Sequence, residues 1–303
     1  MNGKREITAG ILSIGDELLI GQTINTNAAW IGEQLSLRGI RPVEVLTIAD
    51  DREAILNALR SIRGDLVLIT GGLGPTQDDI TKDALCRFFD TTLVNRPEVE
   101  AHIVAMFERM GRKHLEANRA QADLPEACAV IPNQLGTAAG MWFEKEGRVF
   151  VSMPGVPYEM KAMMEAEILP RAVTQLKPPH IVHRTILTTG LGESHLAERI
   201  KDWEAALSDD EVRLAYLPSP GMVKLRLSTY AGKAPDEAHA RVARQAEALY
   251  RLIPELIFGE GAQRLEGVIG AKLKERGATL ALAESCTGGY LGHLVTSVPG
   301  SSA

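Results

Sequence analysis

The chain has 303 residues with a formal net charge of -6, 45% hydrophobic and 24% charged residues. That balance is globular and the length suits two or three domains, while the acidic charge argues against a general nucleic-acid binder. The three cysteines, Cys86, Cys128 and Cys286, form no CxxC or zinc spacing, which fits a reducing cytoplasm. The charged start from Met1 to Glu6 leads into no signal-like apolar region, and no stretch is apolar enough to span a membrane. A cytoplasmic protein with no membrane contact is expected.

Ile7 to Ile14 reads as a buried strand ending in Gly15-Asp16-Glu17. Asn25-Thr26-Asn27 offers capping side chains to a helix carrying Trp30, Ile31 and Leu35, which Gly39 closes. Val43 to Ile48 is a second strand. Asp50 is placed to cap a helix whose Ile55, Leu59 and Ile62 share one face. Asp65 to Thr70 is a third strand and runs into Gly71-Gly72-Leu73-Gly74-Pro75-Thr76. This alternation predicts an α/β fold, a parallel sheet with helices on both faces. Further on come a helix over 97–110, a hairpin from Met141 to Ser152 turning at Glu146-Gly147, the turn Pro154-Gly155-Val156-Pro157, and a helix with Met160, Met163 and Met164. Pro170 and Lys177-Pro178-Pro179 mark a boundary.

Residues 178–258 read as a small α+β module of βαββα order. Its strands are Val182–Thr188, Val212–Leu217 and Met222–Tyr230, and its helices cover 194–206 and 236–252. A helix over 262–274 and a strand from Thr279 to Ala283 then lead to Glu284-Ser285-Cys286-Thr287-Gly288-Gly289, the opening of another α/β unit.

The stretch from Gly71 to Asp79 carries the most chemistry. Glycines let backbone N–H groups converge on an anion at a strand end, where open α/β sheets bind ligands. Asp78 and Asp79 would repel a bare phosphate, so their presence points to a bridging divalent cation. A plain turn followed by two acidic residues at a helix start is the alternative. Asp16 and Glu17 point into the same crevice, where they could hold a metal or a ribose hydroxyl, or simply favour a helix start. The small-residue loop Asn133 to Gly140, with Gly136-Thr137, would let a flat ligand lie against backbone. Asn25 and Asn27 could be caps. Ser285 lies at a strand–turn–helix junction, where serine serves as a nucleophile or as a cap. None of the seven histidines has a metal-binding spacing, and the three methionines read as core.

Five of these stretches in register resemble the CinA family of competence/damage-inducible proteins. They are Gly15 to Leu19, Asn25 to Asn27, Thr70 to Asp79, Asn133 to Gly140, and Pro154 to Pro157 with Glu159-Met160. Over residues 1–172 the chain is similar to the three-layer molybdopterin-binding fold of MoaB- and MogA-type proteins. The resemblance implies hydrolysis of ADP-ribose to AMP and ribose 5-phosphate. It also implies a divalent metal (Mg, Mn or Co), help from potassium, and a homodimer. Residues 178–258 resemble the family's KH-like domain but carry no GxxG loop, so a spacer or dimerisation role is expected rather than RNA binding. Residues 262–303 resemble the start of its nicotinamide mononucleotide amidohydrolase domain, with Ser285 at the nucleophile position. The rest of that site is expected past Ala303, so these residues alone should lack deamidase activity.

The expected site follows. Gly71, Gly72 and Gly74 present amides to a diphosphate. Asp16, Asp79 and Asp78 take the metal, with Asp79 and Asp16 catalytic and Glu17 assisting. Asn25, Asn27, Thr76, Gly136, Thr137 and Gly155 grip ribose or base. A pterin-nucleotide transferase and a non-catalytic nucleotide-binding protein remain the alternatives.

Overall fold

The computed structural model describes residues 6–74, 80–111, 119–230 and 235–302, and the chain divides into two units, residues 1–179 and 180–303. The expected site residues Thr76, Asp78 and Asp79 lie outside the described residues.

The first unit is built on a six-stranded sheet of order β2-β1-β3-β8-β7-β6. Its strands are β1 (Ile7–Ile14), β2 (Ile40–Ile48), β3 (Leu66–Thr70), β6 (Ala129–Ile131), β7 (Gly140–Lys145) and β8 (Arg148–Met153). β2, β1, β3 and β8 run parallel, while β7 pairs antiparallel with β8 and β6 antiparallel with β7. A separate two-stranded ribbon joins β4 (Leu93–Asn95) to β5 (Asp123–Pro125).

Strand period explains the layers, because successive side chains face opposite sides of a sheet. Ile11, Leu66, Leu68, Val149 and Val151 share one core with α2 (Thr26–Ser36) and the helix after β8. Leu12, Val67, Ile69, Phe143 and Phe150 share the other with α3 (Arg52–Ser61), α4 (Thr81–Phe89) and α5 (Pro97–Arg109). All five residues of β3 are buried. Each such aliphatic side chain contributes roughly 1.5–3 kcal/mol relative to exposure. The result is the three-layer α/β fold that the alternating elements predict.

The helix after β8 runs as α6 (Pro157–Met163), a π-turn over Met164–Ile168, and α7 (Leu169–Leu176). Pro170 therefore lies inside a helix rather than at a break. The wider turn before it accommodates a residue that has no N–H to give the preceding turn. Asp50 is not the cap of α3 either. Asp51 takes that place, its carboxylate accepting from the Ala54 amide at 2.9 Å.

In the second unit a four-stranded antiparallel sheet has the order β10-β11-β9-β12. It comprises β9 (Ile181–Thr189), β10 (Arg213–Ser219), β11 (Met222–Tyr230) and β12 (Ile257–Glu260). Ile186, Leu225 and Leu227 pack with Leu196 and Ile200 of α8 (Glu193–Ala206) and with Val242, Ala246 and Leu249 of α9 (Pro235–Leu252). The expected βαββα order thus gains a last strand, β12. Its short run carries a register irregularity at Ile257/Gly259 that hides it from the period.

Residues 262–302 supply α10 (Leu265–Glu275) and the short α11 (Tyr290–Thr296), neither with a buried residue. The strand expected from Thr279 to Ala283 does not form. That segment pairs with no neighbour among the described residues, and an unpaired strand has nothing to satisfy its backbone.

Candidate functional site

The parallel strands β1, β3 and β8 end side by side, with Ser13 opposite Thr70 and Thr70 opposite Met153. β1 lies between β2 and β3, so the chain reverses its direction of travel across the sheet there. In doubly wound sheets, ligands bind in the crevice beyond such a reversal. A cavity of about 530 Å³ occupies this edge. Its lining includes Glu17, Asn27, Asp50, the turn from Gly71 to Gly74, Thr137 and Glu159.

The glycine turn has a division of labour. Gly71 has φ +106°, and a Cβ there would run into the Ile14 carbonyl. Its N–H already donates to the Met153 carbonyl at 3.1 Å. Gly71 therefore is not an anion-binding amide as expected; it lets two strand ends meet. The amides of Gly72 and Gly74 bond to no described residue, and both residues line the cavity.

The acidic residues are also redistributed. Asp16 opens the four-residue α1 (Asp16–Leu19) and is not among the lining residues. Its amide donates to Asp50 Oδ2 at 3.1 Å, and the Asp50 amide donates to Asp16 Oδ1 at 3.4 Å. These reciprocal bonds tie the loops after β1 and β2 together and set two carboxylates side by side. Asp50, read as a cap from the sequence, is therefore the one of the pair that reaches the cavity. Among the described residues no three His, Cys, Asp or Glu side chains converge as a metal site. Hard carboxylate oxygens such as those of Asp16 and Asp50 are nonetheless the kind of donor that a magnesium-type cation takes.

Asn25 is committed to structure at both ends of its amide. Its Oδ1 accepts from the Ala28 amide at 3.0 Å, and its Nδ2 donates to Ser13 Oγ at 2.9 Å. Asn25 is thus a helix cap pinned to β1 that also lines the cavity. Asn27 differs. Its Nδ2 donates to the Gly155 carbonyl at 2.7 Å, while its buried Oδ1 has no partner among the described residues.

Thr137 and Gly155 line the cavity, whereas Gly136 does not. A Cβ on Gly136 would collide with the Glu159 carboxylate. Glu159 is only 8% exposed and accepts from Asn133 Nδ2 at 2.7 Å. Asn133, 3% exposed, also donates to the Ala138 carbonyl and accepts from the Leu135 amide. It thereby holds the loop from Asn133 to Gly140 against α6. Sequence reasoning passed over Glu159 because an acidic residue in a first helical turn is ordinary. The usable signal was the pairing of Asn133 and Gly136 with an acid two residues past Pro157.

Ser285 is exposed, and its hydroxyl bonds to no described side chain. It does not cap α11, whose first turn is held by Glu284: the Leu291 and Gly292 amides donate to its carboxylate at 2.8 and 2.7 Å. Those bonds, with Gly292 foremost, hold the Glu284 carboxyl below the usual carboxylate range. Cys86 and Cys128 are buried, and burial pushes the Cys128 thiol up to about 11. Neither is an activated nucleophile.

A family model described as "Probable molybdopterin binding domain" matches residues 10–173. Models of the "Damage-inducible protein CinA KH domain" and the "CinA C-terminal domain" match residues 183–259 and 262–303. A "CinA-like protein" of Flavobacterium psychrophilum is 45% identical over 97% of this chain and 71% of its own length. Another, of Cytophaga hutchinsonii, is 46% identical over 98% of this chain and 71% of its own. Among solved structures, one described as protein CinA of unknown function from Thermoplasma acidophilum is 33% identical. It covers 54% of this chain and 96% of that one, with a TM-score of 0.50. No helix among the described residues is long and apolar enough to cross a membrane.

Proposed function

The chain belongs to the CinA family, and from that premise we propose that its first unit is a hydrolase that splits the diphosphate of ADP-ribose into AMP and ribose 5-phosphate. One observation carries the reading. Amides of Gly72 and Gly74 that bond to no described residue share a cavity lining with Glu17 and Asp50 at the reversal point of a parallel sheet. Amides suit a phosphate, whereas carboxylates beside them suit a cation that neutralises it.

In this reading the diphosphate lies against Gly72 and Gly74 and the remainder of the nucleotide extends toward Thr137 and Gly155. Asp50, oriented by Asp16, is the described residue offered to the metal, with Asp78 and Asp79 completing the set. A bound magnesium, manganese or cobalt ion would polarise the phosphoryl oxygen and activate water. Potassium is expected to assist. The protein's own part is to exclude bulk water and hold the diphosphate in line for attack. Action as a cytoplasmic homodimer belongs to the same proposal.

The test is incubation of the chain with ADP-ribose, potassium and each metal in turn, with AMP followed chromatographically. Equal release of AMP and ribose 5-phosphate is expected, and Asp79→Ala should abolish it without lowering the melting temperature. No AMP with any of the metals rejects hydrolysis. The molybdopterin-binding description of the first unit's family model favours a second reading, adenylyl transfer to a pterin. An adenylylated pterin product would select it. Ser285 lacks an activating side chain among the described residues, so no deamidation of nicotinamide mononucleotide is expected from these 303 residues.

A further inference from the structure

Two acceptor atoms in the cavity are left over by the protein's own hydrogen bonding. Glu159 is held by one carboxylate oxygen, Oε2, which takes the Asn133 amide at 2.7 Å. Its other oxygen, Oε1, accepts from no described residue, although the side chain is more than nine-tenths buried and lines the cavity. Asn27 Oδ1 is buried without a partner in the same lining. The orientation of the Asn27 amide is set by the Gly155 carbonyl, which can only accept, so Nδ2 must face it. A buried polar atom with no partner costs free energy. Asn27 Oδ1 is such an atom, and beside it in the same lining the Glu159 Oε1 acceptor is left open, which marks a place where a ligand supplies the donors.

Charge narrows the ligand group. A carboxylate repels phosphate, so the diphosphate belongs at the free amides of Gly72 and Gly74 and not at Glu159. The ligand group that meets Glu159 must carry two adjacent donors. A ribose offers them as its 2′- and 3′-hydroxyls, and a carboxylate is the usual partner of a ribose diol in nucleotide-binding sheets. We propose that Glu159, through Oε1 and together with Asn27 Oδ1, is the ribose-recognising residue of this site and makes it selective for ribonucleotides over deoxyribonucleotides. The proposal deepens the nucleotide reading above and rests on it.

The experiment is calorimetric titration of the full chain with AMP, 2′-deoxy-AMP, 3′-deoxy-AMP and inosine monophosphate. It is repeated on Glu159→Gln and Glu159→Ala after melting curves show both variants folded. AMP should bind about ten- to a hundred-fold more tightly than either deoxy analogue, the range expected for losing a hydrogen bond to a charged acceptor. Glu159→Ala should bring the ratio close to one. Glu159→Gln keeps the Asn133 contact and should lower the ratio to an intermediate value.

Three results overturn the proposal. One is a wild-type ratio within about two-fold, inside the scatter of mutational energies. Another is a ratio unchanged in both variants while all ligands weaken together, which would make Glu159 a prop for the Gly136 loop. The third is selectivity that follows the base amine and is lost on inosine monophosphate. Ribose selectivity without any AMP release from ADP-ribose would leave the contact standing and remove only the hydrolysis.

Discussion

Two glycine turns in this chain read alike as sequence and differ as structure. The first, from Gly71 to Gly74, follows a strand buried on both faces and opens onto a cavity. The second, from Ser285 to Gly289, follows a segment with no regular structure that pairs with no described residue, and it precedes a helix with no buried residue. A glycine turn becomes a site when the strand behind it is fixed. Neighbouring strands then hold its amides at a defined place, and the ligand does not have to order them.

The comparison breaks most severely if the sheet behind the first turn is loosened. Leu68 is fully buried in β3. Leu68→Ala should cost about 2–5 kcal/mol, seen as a lower denaturation midpoint, and nucleotide binding should weaken with it. Gly71→Ala comes next. Its positive φ and the clash with the Ile14 carbonyl should cost about 2 kcal/mol or more. Under the proposed hydrolysis, AMP release should fall even at temperatures where the variant stays folded, because the amides of Gly72 and Gly74 would be moved. A Gly71→Ala variant that released AMP as fast as wild type would refute the role given to that contact.

A smaller effect is expected at the edge strand that precedes the second turn. Arg184 of β9 makes a paired contact with Glu260 of β12 at 2.8 Å for each bond. That guanidinium holds the Glu260 carboxyl below its usual range. Both side chains are about one-third exposed, so solvent screening limits the pair to about 1 kcal/mol. A depressed carboxylate stabilises the fold above its unfolded-state value and loses that contribution as pH falls through the folded one. Arg184→Met should thus lower the melting temperature at neutral pH, and the gap to wild type should close as the solution is acidified below the carboxylate range. A constant gap at all pH values would show packing rather than charge. The smallest effect belongs to the second turn's own surroundings. Ile269 of α10 is 43% exposed, and Ile269→Ala should shift stability by no more than about 0.5 kcal/mol.

Much of the first unit was readable because strand and helix periods differ and alternate there without interruption. Leu66, Leu68 and Val67, Ile69 divide between two cores, as a strand of period two requires. The site was readable at the level of loops and less so at the level of atoms. Gly71 and Gly72 are the same residue in adjacent positions, yet which N–H stays free depends on where Met153 of β8 ends, a partner more than 80 positions away. Asp50 and Asp51 both suit a cap, and the reciprocal bond to Asp16 decides between them. Thr279 to Ala283 has strand-like residues without a neighbour to pair with, a condition that no local pattern reveals.

The π-turn between α6 and α7 has a consequence for how this architecture can vary. The buried positions Met160, Met163 and Met164 are followed by Ile168, Leu169 and Ala172, one step later than an unbroken 3.6-residue repeat would put them. The extra residue acts as a phase adjuster. It lets the segment bearing Glu159 and the segment seated on the sheet each keep its own rotational setting. Deleting one residue within Glu165–Glu167 would turn the downstream face by roughly 100° and withdraw Leu169 and Ala172 from the core, while the upstream end kept its geometry. Ligand chemistry and core packing along this one helix can therefore drift independently.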